Sequence, residues 1–194
     1  MPGRTPPEAV DVFLAPLRQA VAILDGYAQL TVNPPRGGYR KGTEYIWSLN
    51  GEAGLQLDGG GTFFASMRFV VVDSDPAQHD EQHQGRYRCT TRGYNYKLRD
   101  PAGRDQWRLH WHPVGLSPAK GPHQHIRPDL KRHLPTGRTT FEDAIVWAIE
   151  YGAPIRYPRD EAIQRLALIE APHKLYRTWS DIPPAVQPLP TPHH

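Results

Sequence analysis

The stretch Thr62-Phe-Phe-Ala-Ser-Met-Arg-Phe-Val-Val-Val-Asp73 is rich in aromatic and β-branched residues, which predicts a β-strand. Two more strands are expected downstream, at about Arg86 to Leu98 and Gln106 to His112. The sequence Asp100-Pro-Ala-Gly103 between them suits a hairpin turn. Upstream, short apolar pieces are separated by the dipeptides Pro34-Pro35, Gly37-Gly38 and Asn50-Gly51, which are typical of tight turns between strands. This part of the chain therefore predicts an antiparallel sheet.

Helices are expected on both sides of these strands. Thr5-Pro-Pro-Glu8 has the pattern of a capping box with proline at the first helical position, and apolar residues follow at helical spacing until Gly26. Thr139-Thr-Phe-Glu142 is a second capping box, and Gly152 ends the helix that it begins. A further helical stretch follows Pro158 and is expected to stop at Pro172.

The predicted fold class is α+β, with an antiparallel sheet of about five strands packed by an N-terminal helix and one or two C-terminal helices. A length of 194 residues favours one domain, which we place at residues 1–172. Residues 173–194 form a proline-rich tail in this prediction, because five prolines lie between residues 183 and 192. The linker from Pro113 to Arg138 is expected to contain one short strand around His123 to Arg127.

Composition limits the classes of protein that fit this chain. No apolar run approaches the roughly 18 residues of a membrane span, and the N-terminus lacks the pattern of a signal peptide, so a cytoplasmic location is expected. Cys89 is the only cysteine, which excludes an intrachain disulfide and a cysteine-based zinc site within one chain. Its place in the alternation Tyr87, Cys89, Thr91 predicts a packed strand side chain rather than a nucleophile.

Positive charge and histidine are concentrated in one segment. Residues 86–138 hold twelve Lys/Arg against three acids, a net charge of +9, whereas the net charge of the whole chain is +3. Five of the ten histidines lie between His110 and His133. A basic, histidine-rich surface suits an anionic partner, and we expect RNA.

Two histidine pairs in this segment share a spacing. His110-Trp-His112 ends a predicted strand, and His123-Gln-His125 repeats the pattern after a loop. Residues two apart on a strand point to the same face, so four imidazoles could converge on one transition metal ion such as zinc, iron, nickel or copper. No Asp or Glu lies between His110 and His125 to complete such a shell. The metal is therefore kept as an alternative, and the first expectation is a site without a metal or other cofactor.

The competing interpretation uses histidine as general acid and base in phosphodiester cleavage, since an imidazole exchanges protons near neutral pH. His123 and His125 are the expected acid and base, with Lys120 to hold the phosphate and His110 and His112 as further catalytic candidates. The remaining cations and aromatic rings of the segment would bind the RNA backbone and stack on bases; the candidates are Arg127, Lys131, Arg132, Lys97, Tyr96 and Trp111. A third interpretation is a binding module without catalysis, for which the cations alone suffice.

The middle of the chain resembles the TumE-type toxin family of bacterial toxin–antitoxin systems. The matching pattern is a strand with Tyr and Lys, an Asp/Gly turn, a second strand, a Lys-Gly-x-His-x-His element and a helix that opens with Thr. The corresponding pieces are Tyr94-Asn-Tyr-Lys97, Asp100 to Gly103, Trp107 to His112, Lys120-Gly-Pro-His-Gln-His125 and Thr139 to Glu150. The likeness covers about residues 55–151. It departs from the family at His110-Trp-His112, where Arg-Tyr-Asp is common.

This resemblance implies a toxin that acts on RNA, with a cognate antitoxin protein as partner. With the histidine chemistry above, the expected function is that of a metal-independent ribonuclease.

Overall fold

The computed structural model of the chain describes residues 2–32, 37–74, 85–114 and 119–176. These ranges leave out the histidines His79 and His83 and residues 177–194 of the predicted tail. Within the described ranges the elements follow one another as α1 (Pro6–Val21), β1 (Leu30–Val32), β2 (Glu44–Leu49), β3 (Leu55–Gln56), β4 (Thr62–Asp73), β5 (Tyr87–Arg99), β6 (Asp105–Trp111), β7 (His123–Ile126), β8 (Asp129–Pro135), α2 (Phe141–Glu150) and α3 (Arg159–Tyr176).

The fold is α+β, as predicted, with one antiparallel sheet whose order is β1-β2-β4-β5-β6-β7-β8. The sheet has eight strands in the described residues rather than about five, because β3 pairs with β4 and the predicted linker from Pro113 to Arg138 contributes two strands, β7 and β8. The missed strand, β8, is an exposed edge strand whose basic residues follow no apolar alternation, so its sequence gives little signal.

One face of the sheet is covered and the other is not. Apolar residues alternate along β6, where Trp107, Leu109 and Trp111 are buried and the residues between them are half-buried. Phe63, Ala65 and Met67 repeat this pattern on β4. The buried residues join those of α1 and α2 in one core cluster. The polar residues of β4, β5 and β6 therefore share the opposite face.

The helices begin with side-chain caps. The Thr5 hydroxyl accepts a hydrogen bond from the Glu8 backbone N–H at 3.3 Å. The capping box of α2 is formed by Thr140 and Asp143, one residue later than Thr139 and Glu142, because Thr140 is the residue whose hydroxyl accepts from the third helical N–H at 3.0 Å. Helix α3 continues past Pro172 to Tyr176, so proline does not end it. No helix in the described ranges combines the length and apolar character needed to cross a membrane.

Aromatic packing connects α2 to the middle of the sheet. The Phe141 side chain is fully buried, and its ring centroid lies 4.8 Å from that of Trp47 and 6.1 Å from that of Tyr96. Phe141 is also the first residue of α2, so its packing fixes where the helix begins on the sheet.

Replacement of Phe141 by Ala should lower the free energy of unfolding by about 3 to 5 kcal/mol, because it removes a fully buried ring and leaves a cavity. Urea unfolding followed by circular dichroism measures the loss. Leu168→Ala is the matched control, since Leu168 on α3 is 73% exposed and its truncation should change the stability by less than about 0.5 kcal/mol. Equal losses in the two variants would contradict the placement of Phe141.

Cys89 lies on β5, where it packs against the core with its Sγ 3.6 Å from the Ala9 carbonyl oxygen of α1. Burial raises the pKa of the Cys89 thiol to about 12. A thiol with so high a pKa is almost wholly protonated near neutrality and is a poor nucleophile.

Alkylation of native Cys89 by iodoacetamide at pH 8 should be at least about 100-fold slower than in concentrated urea, where the thiol regains a pKa near 8.5. Because the native pKa is raised, the native rate should continue to climb as the pH increases from 8 to 10. The rate in urea should level off over the same interval. Rapid labelling of the folded protein at pH 8 would show that the thiol is accessible and ionised.

Candidate metal centre

The sheet brings the two predicted histidine pairs together. His110 on β6 and His123 on β7 are direct register partners, and His125 is the partner of Arg108. His112 follows β6 by one residue and therefore lies beside His110 on the uncovered face. The predicted convergence of the two pairs is thus a consequence of antiparallel pairing between β6 and β7.

A fifth histidine, His133 on β8, completes the group. Its ring centroid lies 4.6 Å from that of His125 and 4.8 Å from that of His123. The remaining neighbouring rings have centroids 5.0 to 5.7 Å apart. We name the five residues His110, His112, His123, His125 and His133 the histidine centre.

Two sets of three ligand atoms arise within this centre. The β6 set is His110, His112 and His123, and the β8 set is His123, His125 and His133. In each set the candidate ligand nitrogens lie within 4.8 Å of one another. Nitrogens bound to one zinc ion are about 3.4 Å apart when Zn–N is 2.0 to 2.1 Å, so ring rotations that bring the widest pairs about 1 Å closer would form a tetrahedral site. His123 belongs to both sets.

The orientation of His123 is fixed by the backbone. Its Nδ1 lies 2.9 Å from the Gly121 carbonyl oxygen, which can only accept a hydrogen bond. Nδ1 therefore carries the proton in the neutral ring, and the lone pair is on Nε2. Hydrogen bonds from the distal nitrogen to a carbonyl are typical of metal-binding histidines. Only one nitrogen of His123 is thus available as a ligand.

Three buried imidazole nitrogens have no hydrogen-bond partner in the structure: His110 Nε2, His123 Nε2 and His125 Nδ1. The residues His123 and His125 are only 2% and 5% exposed. A buried polar atom without a partner costs about 1 to 3 kcal/mol, and such atoms at one place require an explanation. Each ligand set includes two of these three residues, His123 with either His110 or His125, so a metal ion bound in one set would provide a partner for two of the three atoms.

The electrostatics favour neutral imidazoles. Burial lowers the pKa of His110 to about 3, with smaller contributions from the charges of the neighbouring histidines. Burial also lowers the pKa of His125, followed by the effect of His133 and His123. The pKa of His112 is lowered by burial first and then by His123, Arg68, His133 and Lys120. Neutral imidazole is the form that binds transition metals.

No Asp or Glu joins either ligand set among the residues that the structure describes. The nearest acid along β6 is Asp105, which pairs with Arg99 at 3.0 Å and with Arg108. The donor set is therefore purely imidazole, which suits zinc, copper, iron and nickel and excludes a magnesium or calcium site built on carboxylates.

The predicted phosphate-binding cations lie at three places. Arg127 donates from Nε to the Asp105 carbonyl oxygen at 2.9 Å and lies 3.8 Å from Asp100, so it ties the turn after β7 to neighbouring strands. Lys97 is the register partner of Arg108, on the face of the histidines, with its Nζ 4.8 Å from the Phe64 ring centroid. Lys131 and Arg132 are exposed on β8, immediately before His133.

The two aromatic residues predicted to stack on bases lie on the covered face. Tyr96 is fully buried and stacks on Tyr94 at a centroid distance of 4.9 Å. Trp111 is 5% exposed, and the Arg138 guanidinium covers its ring at 4.3 Å. Neither ring is presented at the surface beside the histidines. Tyr96 is the register partner of the core residue Leu109, and Trp111 follows His110 on β6 and so points to the opposite side of the sheet.

Two residues of the candidate site are not among the predicted site residues. His133 lies in the predicted linker, where Lys131-Arg132-His133 shows no strand alternation that would indicate its place on β8. Arg68 lies on β4, far from the histidines in sequence, and lines a cavity of about 350 Å³ together with His110 and His112. Only strand pairing across β4, β5 and β6 brings Arg68 to this place, so no local motif could have indicated it.

Comparison of the chain with family models, curated proteins and solved structures gives no match. The function of the histidine centre is therefore inferred from its own geometry.

Proposed function

We propose that the chain is a transition-metal protein, and that the histidine centre binds one divalent ion for Lewis-acid chemistry. The observation that carries this proposal is the presence of buried imidazole nitrogens without hydrogen-bond partners on His110, His123 and His125, which belong to the two overlapping ligand sets. No hydrogen bond within the described residues satisfies these atoms, and imidazole nitrogen is a preferred ligand of zinc, copper, iron and nickel.

The residues fit such an ion in three respects. His123 is held by strand pairing on both sides, and His125 is held by its pairing with Arg108 on β6, which limits their movement. The Gly121 carbonyl selects the tautomer of His123 that leaves Nε2 free. Burial disfavours the charged form of His110 and lowers its pKa, so a proton competes less with a metal ion for that ring.

A divalent ion held by three imidazoles keeps a coordination position open, polarises a bound substrate oxygen and activates water. The chain itself supplies the positioning. The β6 set faces the cavity beside His110 and His112, which gives a substrate access to the open position. His133, the exposed member of the β8 set, connects the centre to solvent. These contacts support an enzyme in which the uncovered sheet face is the active surface.

The same geometry favours the metal over direct proton transfer by histidine. A general acid and base must come within about 3 Å of the protons that they exchange with the substrate. His123 and His125, the predicted pair, are buried beneath neighbouring side chains, and one nitrogen of His123 is engaged by the backbone. A polymeric substrate such as RNA cannot reach them without rearrangement of the centre.

The shared ligand predicts one tightly bound ion per chain. His123 has a single available nitrogen, so the β6 set and the β8 set cannot both be complete at once. Zinc titration of protein dialysed against a chelator should therefore saturate at one equivalent by isothermal titration calorimetry. His123→Ala, which removes a ligand from both sets, should weaken zinc binding by roughly 100-fold or more, beyond the usual effect of losing a group that only hydrogen-bonds a ligand.

Three further variants make this test specific. His112→Ala and His133→Ala each leave one set intact and should retain one equivalent of bound zinc. Gln124→Ala is the matched control, because Gln124 lies between two ligands on β7 but is the register partner of the core residue Leu109. A rise in the melting temperature of wild-type protein on zinc addition gives a readout independent of variants. Two tight ions, or unchanged affinity in His123→Ala, would refute the shared site.

A second candidate function is RNA binding, which is favoured by the exposed cations Lys131 and Arg132 on the edge strand β8. Such cations bind phosphate without sequence preference. We propose this surface as the place where an RNA partner would contact the chain. The ribonuclease toxin activity and the antitoxin partner implied by the family resemblance remain predictions, which growth arrest on induced expression would test.

If RNA binds at this surface, its affinity should fall steeply with salt, by roughly a thousandfold between 50 and 200 mM for about six phosphate contacts. The double variant Lys131→Glu/Arg132→Glu should weaken binding and reduce the salt slope, measured by fluorescence anisotropy with a labelled single-stranded RNA. Arg18→Glu on α1, half-exposed on another side of the molecule, is the control. Binding that is insensitive to salt would exclude this electrostatic mode.

A further inference from the structure

The cavity beside the β6 set has the construction of a substrate subsite. It has a volume of about 350 Å³, within the range of small-molecule sites, and is lined by side chains of β2, β4 and β6 around Gly93 and Asn95 of β5. His110 and His112 form one wall. Ser66 and Arg68 lie on the opposite side, and Ile46 adds an apolar surface that is 53% exposed.

Gly93 makes room for the Arg68 side chain. The two residues are register partners on β4 and β5, and the strand pairing is irregular immediately after Arg68. A Cβ atom at position 93 would lie 2.6 Å from the Trp111 carbonyl oxygen, 3.0 Å from one terminal nitrogen of Arg68 and 3.4 Å from its Nε. The absence of that atom lets the Arg68 guanidinium lie against β5, the strand between β4 and the histidines of β6.

The charge of Arg68 is only weakly compensated. Its ion-pair partner among the described residues is Glu44, at 3.5 Å, and the two side chains are 35% and 46% exposed. A pair of this kind contributes about 0 to 1 kcal/mol, so an anionic ligand can compete for the guanidinium. Among the described residues that line the cavity there is no carboxylate, while Asn95 and Ser66 offer further polar groups.

Arg68 on one wall and the candidate metal ligands His110 and His112 on the other define the class of ligand. A guanidinium recognises carboxylate and phosphate groups through two parallel hydrogen bonds. We propose that this cavity binds a small organic oxyanion, a carboxylate or a phosphate monoester. Arg68 holds the anionic group, and Ile46 contacts the apolar part of the molecule. The proposal rests on the proposed metal function for its chemistry, because the β6 set would act on the end of the ligand near His110.

The size of the cavity argues for a small molecule rather than a nucleic acid at this place. A volume of 350 Å³ accommodates an aromatic acid or a monophosphate of similar size. The exposed cations of β8, where RNA contact is proposed, are at the other edge of the histidine centre. Arg68 is thus a specificity-determining residue in this proposal, and the histidines are the reactive side.

The test uses benzoate and phenylphosphonate as probes, titrated by calorimetry into zinc-loaded and metal-free full-length protein. At least one probe should bind wild type, and Arg68→Gln should weaken that binding by at least tenfold while zinc affinity changes less than twofold. Arg68→Lys should recover only part, because lysine keeps the charge but lacks the planar fork. Preference for benzoate or phenylphosphonate distinguishes a carboxylate from a phosphate ligand.

Two other variants control the interpretation. Ile46→Glu places a carboxylate at the exposed wall and should weaken binding of both probes at least severalfold, which provides a second test if Arg68→Gln fails to fold. Arg18→Gln on α1 should leave binding unchanged.

Zinc binding without any Arg68-dependent probe binding would overturn the subsite and leave the metal function standing. Arg68-dependent probe binding to protein that takes up no zinc would support the subsite and refute the metal function. A short RNA that displaces the probes would overturn the small-molecule assignment.

Discussion

The alternation of β6 is the constraint on which the histidine centre depends. Trp107, Leu109 and Trp111 must be buried beneath the helices, and a one-residue slip would expose all three. This burial fixes the register of β6, and the register in turn places His110 opposite His123 on the uncovered face. The position of the site is therefore a consequence of core packing on the other side of the sheet, where helix α2 is anchored through Phe141.

The histidine centre is held together at a cost to the fold. Its rings are brought to van der Waals distances while three of their buried nitrogens have no partner, and each such atom costs about 1 to 3 kcal/mol. The hydrophobic core between the sheet and the helices, with aromatic contacts of Phe141 to Trp47 and Tyr96, offsets that cost. Functional sites are where proteins retain such unfavourable arrangements, since a ligand that satisfies the atoms recovers the lost energy on binding.

The concentration of positive charge in residues 86–138 has two structural roles. Part of it is neutralised within the fold, since Arg99 and Arg108 pair with Asp105, and Arg104 and Arg127 with Asp100. Burial would raise the pKa of Asp105, but the hydrogen bonds from Arg99 and Arg108 outweigh it and hold that pKa below its usual value. The exposed part, on β8, borders the histidines. Net charge along the sequence could not separate these roles, because it contains no information on which bases have acids beside them.

The sequence alone determined the α+β class, the presence of helices α1 and α2, the strands around Thr62 to Asp73 and Gln106 to His112, and the two histidine pairs, because each rests on local periodicity or a local motif. It also indicated that the four imidazoles of these pairs lie near one another, although the structure divides them between two ligand sets. Tertiary structure alone decided that His133 joins them, that Arg68 lies across Gly93 beside them, and that Tyr96 and Trp111 face the core. The physical reason is that strand pairing acts over long sequence separations. The register and the buried face of an edge strand such as β8 are set by its partners and not by its own residues.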